Sequence, residues 1–158
     1  MQIRNFEQLM AEARKRGPKI VAIAAAHEKE VILAAVDAED LGLAECVLVG
    51  DEPRIEEISR ETGVDLRRMV IIHEPDPRMC ANKVMELVGQ GKAQIAMKGK
   101  VETGDFLRAA LNKDYGLRRG NLLTHVGAFE IPGIDRLIFV SDAGVVVAPD
   151  MEPKYEIV

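Results

Sequence analysis

Lys19 to Ala26 reads KIVAIAAA, an apolar run with no polar residue after its first lysine. Strands that alternate polar and apolar residues show one face to water. A continuous apolar run of this length fits a parallel strand covered on both faces. Three more short apolar runs follow: Cys46–Gly50 (CVLVG), Met69–His73 and Ala93–Met97. Each is followed by a stretch of helical periodicity. Glu28–Leu41 places Val31, Ile32, Ala35 and Val36 on one face, with Gly42 as its stop. Pro53 opens a helix carrying Ile55 and Ile58, closed by Gly63. Asp76-Pro77 starts a helix through Ala81, Val84, Leu87 and Val88 that ends near Gly89 and Gly91. Thr103–Leu111 turns Phe106, Leu107, Ala110 and Leu111 to one side. Strand and helix thus alternate four times, which predicts an α/β fold. Its parallel sheet is covered by helices on both faces and joined by right-handed crossovers.

Two further features frame the repeat. Asn5 reads as an N-cap, with Gln8 three residues on, for a first helix through Phe6, Leu9, Met10 and Ala13. After the fourth unit the period changes. Leu122–Ile131 and Arg136–Val147 are two strand-like runs separated by Pro132-Gly133-Ile134-Asp135, so they predict an antiparallel hairpin. Asp150 then looks like the cap of a helix with room for one or two turns. The expected organisation is one α/β domain over 1–148 and the start of a helix over 149–158.

Composition narrows the function classes. The chain has 158 residues, a net charge of −5, 4% aromatic residues and no Trp. That argues against a stacking platform or a basic field for nucleic acid or membrane. Cys46 and Cys80 fall in a strand and a helix and read as small buried hydrophobes. No signal-peptide core and no long uncharged stretch is present, so a cytoplasmic protein is expected.

In parallel sheets, ligands gather beyond the carboxyl ends of the strands, where strand order reverses. The sequence puts His27-Glu28, Gly50-Asp51, His73-Glu74 and Lys98-Gly99-Lys100 at those ends. There is no GxGxxG after the first strand and no GxxxxGK[ST] loop. Lys98 and Gly99, ahead of a helix starting at Thr103, fit a phosphate-bearing ligand. The glycine permits close backbone approach, the helix start offers free N–H groups, and the lysine supplies charge. A solvated lysine in an ordinary loop gives the same pattern. Arg108 and Arg118-Arg119 are further candidate anion grips. Asp105 would repel an anion unless it points away or pairs with a cation. His27 and His73 have no metal-ligand spacing, and no metal site is expected. Ser141, His125 and Asp142 do not form a plausible triad, because neighbours on a strand point to opposite faces.

Three segments carry a resemblance. They are KIVAIAAAHEKEVILAAVDAEDLGLAECVLVGD, EPDPRMCANKVMELVGQGKAQIAMKGKVETGDFLRAALNKDYGLRRGNLLTHV and FVSDAGVVVAPD. In order and spacing they resemble the phosphate acetyltransferase and phosphate butyryltransferase family, and LLTHV looks closer to the butyryl branch. The resemblance implies a fold like that of isocitrate and isopropylmalate dehydrogenases, of which this chain would be the first domain. It implies the reaction acyl-CoA + phosphate ⇌ acyl phosphate + CoA. Coenzyme A thioester and phosphate are then substrates, no cofactor is tightly held, and a homodimer is expected. Lys98, Gly99, Thr103 and Arg108 match the family's loop and helix beside the substrate cleft. Ser141 and Asp142 match a segment entering the domain junction, where Ala143 replaces a cysteine common in acetyltransferases. Family members are about twice as long, which places the main catalytic set in a missing half. Alternatives are a non-catalytic domain that binds CoA or phosphate, and a dehydrogenase on the same fold.

Overall fold

The computed structural model describes residues 2–115, 117, 120, 122–146 and 150–157. In chain order the elements are α1 (Phe6–Lys15), β1 (Lys19–Ala24), α2 (Lys29–Asp40), β2 (Ala44–Gly50), α3 (Glu52–Thr62) and β3 (Val70–His73). Then come α4 (Pro77–Gly89), β4 (Ile95–Lys98), α5 (Thr103–Ala110), a 3-10 turn at Lys113–Tyr115, β5 (Gly127–Glu130), β6 (Leu137–Val140) and α6 (Met151–Ile157). They divide into two compact units, Arg16–Arg118 and the pair of segments Met1–Lys15 and Arg119–Val158.

The larger unit is the predicted α/β sandwich. Its four parallel strands lie in the order β3-β2-β1-β4. Side chains of β1 alternate between two cores. Val21 and Ile23 join Ile32 and Ala35 of α2 and Ile55 and Ile58 of α3. Ala22 and Ala24 join Cys80, Ala81, Val84 and Met85 of α4 and Ala109 of α5. The second face is built from small residues, which lets α4 lie close against the strand. Both cysteines are free and buried, as their sequence context predicts. Burial pushes the Cys46 thiol up to about 11.

Local signals fix the helix ends. The Asp76 carboxylate accepts the N–H of Arg78 and Met79 at 2.8 and 3.1 Å and starts α4. Gly63, at φ 71°, ends α3 in the left-handed conformation that glycine tolerates best. Asn5 accepts the Gln8 N–H at 2.9 Å, and Gln8 Oε1 answers by accepting the Arg4 N–H.

The strand limits differ from the sequence reading: β2 begins at Ala44 and not Cys46, and β3 at Val70 and not Met69. β1 stops at Ala24 because Ala25 turns into the left-handed region at φ 51°. The fourth strand was expected over Ala93–Met97 and runs Ile95–Lys98. There the Gln94 side chain replaces a strand carbonyl, accepting the Ile20 N–H at 2.9 Å while the Gln94 backbone N–H donates to Ile20 O. The hairpin is much shorter than Leu122–Ile131 and Arg136–Val147. Only Gly127–Glu130 and Leu137–Val140 pair, antiparallel, with Phe129 opposite Ile138. The Asp142 carboxylate takes the N–H groups of His125, Gly144, Val145 and Val146, and so withdraws them from any ladder. Val147 lies outside the described residues.

In the smaller unit the hairpin holds the first helix. Glu130 Oε2 accepts the Phe6 N–H at 2.7 Å, and Asp135 pairs with Arg4. The turn is closed by Ile134 N–H to Ile131 O at 3.0 Å.

The fully buried Leu48 of β2 belongs to the core that holds Ile23 of β1, Ile32 of α2 and Ile55 and Ile58 of α3. Leu48→Ala should cost about 2–5 kcal/mol of unfolding free energy in a denaturant titration. A loss below about 1 kcal/mol would contradict this account of the core.

Candidate functional site

Strand order reverses at β1: β2 and β3 lie on one side of it and β4 on the other. A switch point of this kind leaves a crevice beyond the carboxyl ends of the two diverging strands. The structure has a cleft of about 420 Å³ there. Glu28, Glu30 and Val31 line one side, and the run Lys98 to Thr103 lines the other. Lys98, Gly99 and Thr103, three residues singled out by sequence, therefore share one cleft.

The loop of this cleft is fixed by main-chain bonds to the end of β1. Gly99 N–H donates to Ala24 O at 2.8 Å and Lys100 N–H to Ala25 O at 3.1 Å. A Cβ at Gly99 would lie 2.6 Å from both carbonyl oxygens. The close approach that requires glycine is thus to the protein's own backbone. Lys98 Nζ bends back over the loop, donating to Val101 O at 3.0 Å and Gly99 O at 3.5 Å. An ammonium has three donors, so one remains for a ligand. Lys100 Nζ is bound to Glu28 Oε1 at 2.8 Å. That bond holds the Glu28 carboxyl below its ordinary range. Thr103 opens α5, whose N-cap residue Glu102 makes no side-chain cap.

Arg108 is not in this cleft. It lines a second one of about 740 Å³ together with Arg78, Asn82, Asp105 and Leu107. Asp105 is what holds the arginines there: Arg108 pairs with its Oδ1, and Arg78 Nε reaches Oδ2 at 2.9 Å. Burial alone would raise the Asp105 carboxyl. The two guanidiniums outweigh that and hold it below the usual range. The feared repulsion is thus neutralised by pairing. Arg78 is the functional candidate that sequence reasoning missed. It lies in the first turn of α4, and nothing in its local pattern points across to α5.

Ser141 and Asp142 belong to the other unit. The Asp142 carboxylate is used by its own turn. The N–H groups of Gly144 and Val145, at 2.9 and 3.0 Å, lower its pKa first, with His125 and Val146 adding to them. Arg118 and Arg119 lie outside the described residues. His27 and His73 have a local role: each accepts a backbone N–H through Nδ1 at 3.2 Å, from Asp51 and Glu52 respectively, at the start of α3. Among the described residues no three His, Cys, Asp or Glu side chains form a metal-binding group. Nor is any helix long and apolar enough to cross a membrane.

Two outcomes follow from this geometry. Gly99→Ala should push the loop off β1, seen as loss of amide-exchange protection at Gly99 and Lys100. Retained protection would refute the close-approach argument. A lowered pKa means the Asp142 contribution is complete above the ordinary aspartate range of ~4 and lost as pH falls through the folded value. Protection of the Gly144 and Val145 amides should therefore vanish in acid and be absent in Asp142→Ala at neutral pH. Unchanged exchange in that variant would show that the carboxylate does not hold the turn.

No family model matches the chain. Whole-sequence comparison does find relatives. Phosphate butyryltransferase of Clostridium acetobutylicum is 38% identical over 156 residues, covering 99% of this chain and 52% of that protein. Phosphate acetyltransferase of Thermotoga maritima is 35% identical, covering 97% and 51%. A branched-chain phosphotransacylase structure from Enterococcus faecalis superposes with a TM-score of 0.72 at 22% identity, covering 88% of this chain and 48% of that one. The chain spans about half the length of the curated relatives it matches. Fold and motif order thus agree with the similarity: the chain is similar in sequence to phosphate butyryltransferases and phosphate acetyltransferases over about half of their length.

Proposed function

We propose that this chain carries part of a phosphate acyltransferase of the butyryl type, interconverting acyl-CoA and phosphate with acyl phosphate and CoA. The observation that carries the reading is the place of the Lys98–Thr103 cleft, at the strand-order reversal of a chain related to phosphate butyryltransferases. Lys98 holds phosphate by its free N–H. The first amides of α5 and the Thr103 hydroxyl supply further donors. Arg108, with Arg78, offers guanidinium donors for phosphate groups in the adjoining cleft. Ser141 and Asp142, in the smaller unit, are substrate-binding residues on the strength of the family resemblance alone.

In the forward step a phosphate oxygen attacks the thioester carbonyl. A C–O bond forms, the C–S bond breaks, and CoA leaves as thiolate. Negative charge gathers on the carbonyl oxygen and the phosphate, so fixed cations and N–H donors lower the barrier. Asp105 carries the lowered pKa expected of a carboxylate that stays ionised, which suits it to orienting arginines and not to taking the proton. The general base and the main catalytic set belong, on this reading, to the half of the relatives that the chain does not match. The protein acts in the cytoplasm as a homodimer, with no tightly bound cofactor and no metal.

A coupled assay with butyryl-CoA, acetyl-CoA and phosphate tests the reading alongside equilibrium phosphate binding. The 158-residue chain should bind phosphate yet turn over little or no acyl-CoA. Lys98→Ala should weaken phosphate binding roughly 10- to 150-fold, the loss of a charge-assisted contact of ~1.5–3 kcal/mol. Turnover near that of a full-length relative would contradict the assignment of the catalytic set. Phosphate affinity unchanged in Lys98→Ala would contradict the role of Lys98.

A further inference from the structure

The charges around the Lys98 cleft pose a problem for an anion. Two lysines, Lys98 and Lys100, share the cleft with three glutamates, Glu28, Glu30 and Glu102. Lys100 lines this cleft beside Lys98. Its side chain is 69% exposed, and among the described residues its ammonium bonds to Glu28, the residue that precedes α2 and makes no cap of its own. Its main chain is pinned to Ala25 O. Releasing the ammonium from Glu28 therefore needs only side-chain rotation and no movement of the loop. A phosphate held by Lys98 and the start of α5 would lie in the cleft that Lys100 also lines.

We propose that Glu28 competes with bound phosphate for Lys100. Lys100 is then a second phosphate-contacting cation, and Glu28 sets the affinity of the empty cleft. The inference rests on the phosphate reading of the Lys98 cleft. The Lys100–Glu28 bond occupies one ammonium donor and one carboxylate oxygen. When phosphate enters, its oxygens, doubly charged near neutral pH, replace one carboxylate oxygen as the acceptor. An exposed pair of this kind is weak, so the exchange is inexpensive. Glu30 acts on Lys100 only through space, as its charge without a bond implies. It therefore serves as an internal control of equal charge.

The test is titration calorimetry of inorganic phosphate into the 158-residue chain, with sulfate and chloride as comparison anions. Glu28→Gln removes the competitor and should tighten phosphate binding roughly two- to fivefold, the range of exposed ion-pair strengths. Lys100→Ala should weaken it. In the Lys100→Ala background, Glu28→Gln should have almost no further effect. Glu30→Gln should tighten binding less than Glu28→Gln in the wild-type background. Equal tightening by Glu28→Gln with and without Lys100 would show a through-space charge effect and overturn the proposal, as would Lys100→Ala binding phosphate as wild type does. These failures differ from failure of the underlying reading. There, phosphate would not bind, or Lys98→Ala would bind it unchanged.

Discussion

The carboxyl end of β1 is the point on which the α/β unit depends. Within three residues it bonds to both of its neighbours. Ala26 N–H reaches Val49 O of β2 at 3.0 Å, while Ala24 O and Ala25 O take the amides of Gly99 and Lys100 beyond β4. A buried strand must satisfy its backbone groups internally, because water is not available to do so. Here that requirement extends past the strand's own end. The left-handed turn at Ala25 is what aims its carbonyl at Lys100. The sheet thus transmits its rigidity directly to the loop bearing Lys98, Gly99 and Lys100.

The same economy governs the charged side chains. Asp105 joins α4 to α5 through Arg78 and Arg108, Glu28 joins α2 to the β4 loop through Lys100, and Asp142 organises four backbone amides. Each carboxylate is paired and has a lowered pKa. Exposed pairs of this kind contribute little to stability. Their consequence is positional. They leave guanidinium donors gathered in one cleft and lysine donors in the adjoining one, on either side of the start of α5.

Much of this was legible in the sequence. KIVAIAAA announced a two-sided strand, and Asp76-Pro77 and Gly63 marked helix ends by capping chemistry that acts locally. Lys98, Gly99 and Thr103 could be grouped because they are neighbours in sequence. What escaped was non-local or side-chain specific. The pairing of Asp105 with Arg78 spans 27 positions, and that of Lys100 with Glu28 spans 72. LLTHVGAFEI and RLIFVSDAGVVV have strand composition throughout, although only Gly127–Glu130 and Leu137–Val140 pair. No pattern of apolar residues reveals that the Asp142 carboxylate captures the amides that would extend them. The sequence marks Gly99 for close approach to a ligand, whereas the surface it lets near is the β1 backbone. A sequence does not say which of two surfaces a glycine lets near.

The central claim is that the cleft between the ends of β1 and β4 receives phosphate. The most direct measurement is a two-dimensional amide NMR titration of the chain with inorganic phosphate at constant ionic strength. The account predicts saturable shifts centred on the amides of Lys98 to Asp105, with Ala25 and Glu28 following. Shifts confined to other segments, or none beyond those produced by chloride, would contradict it.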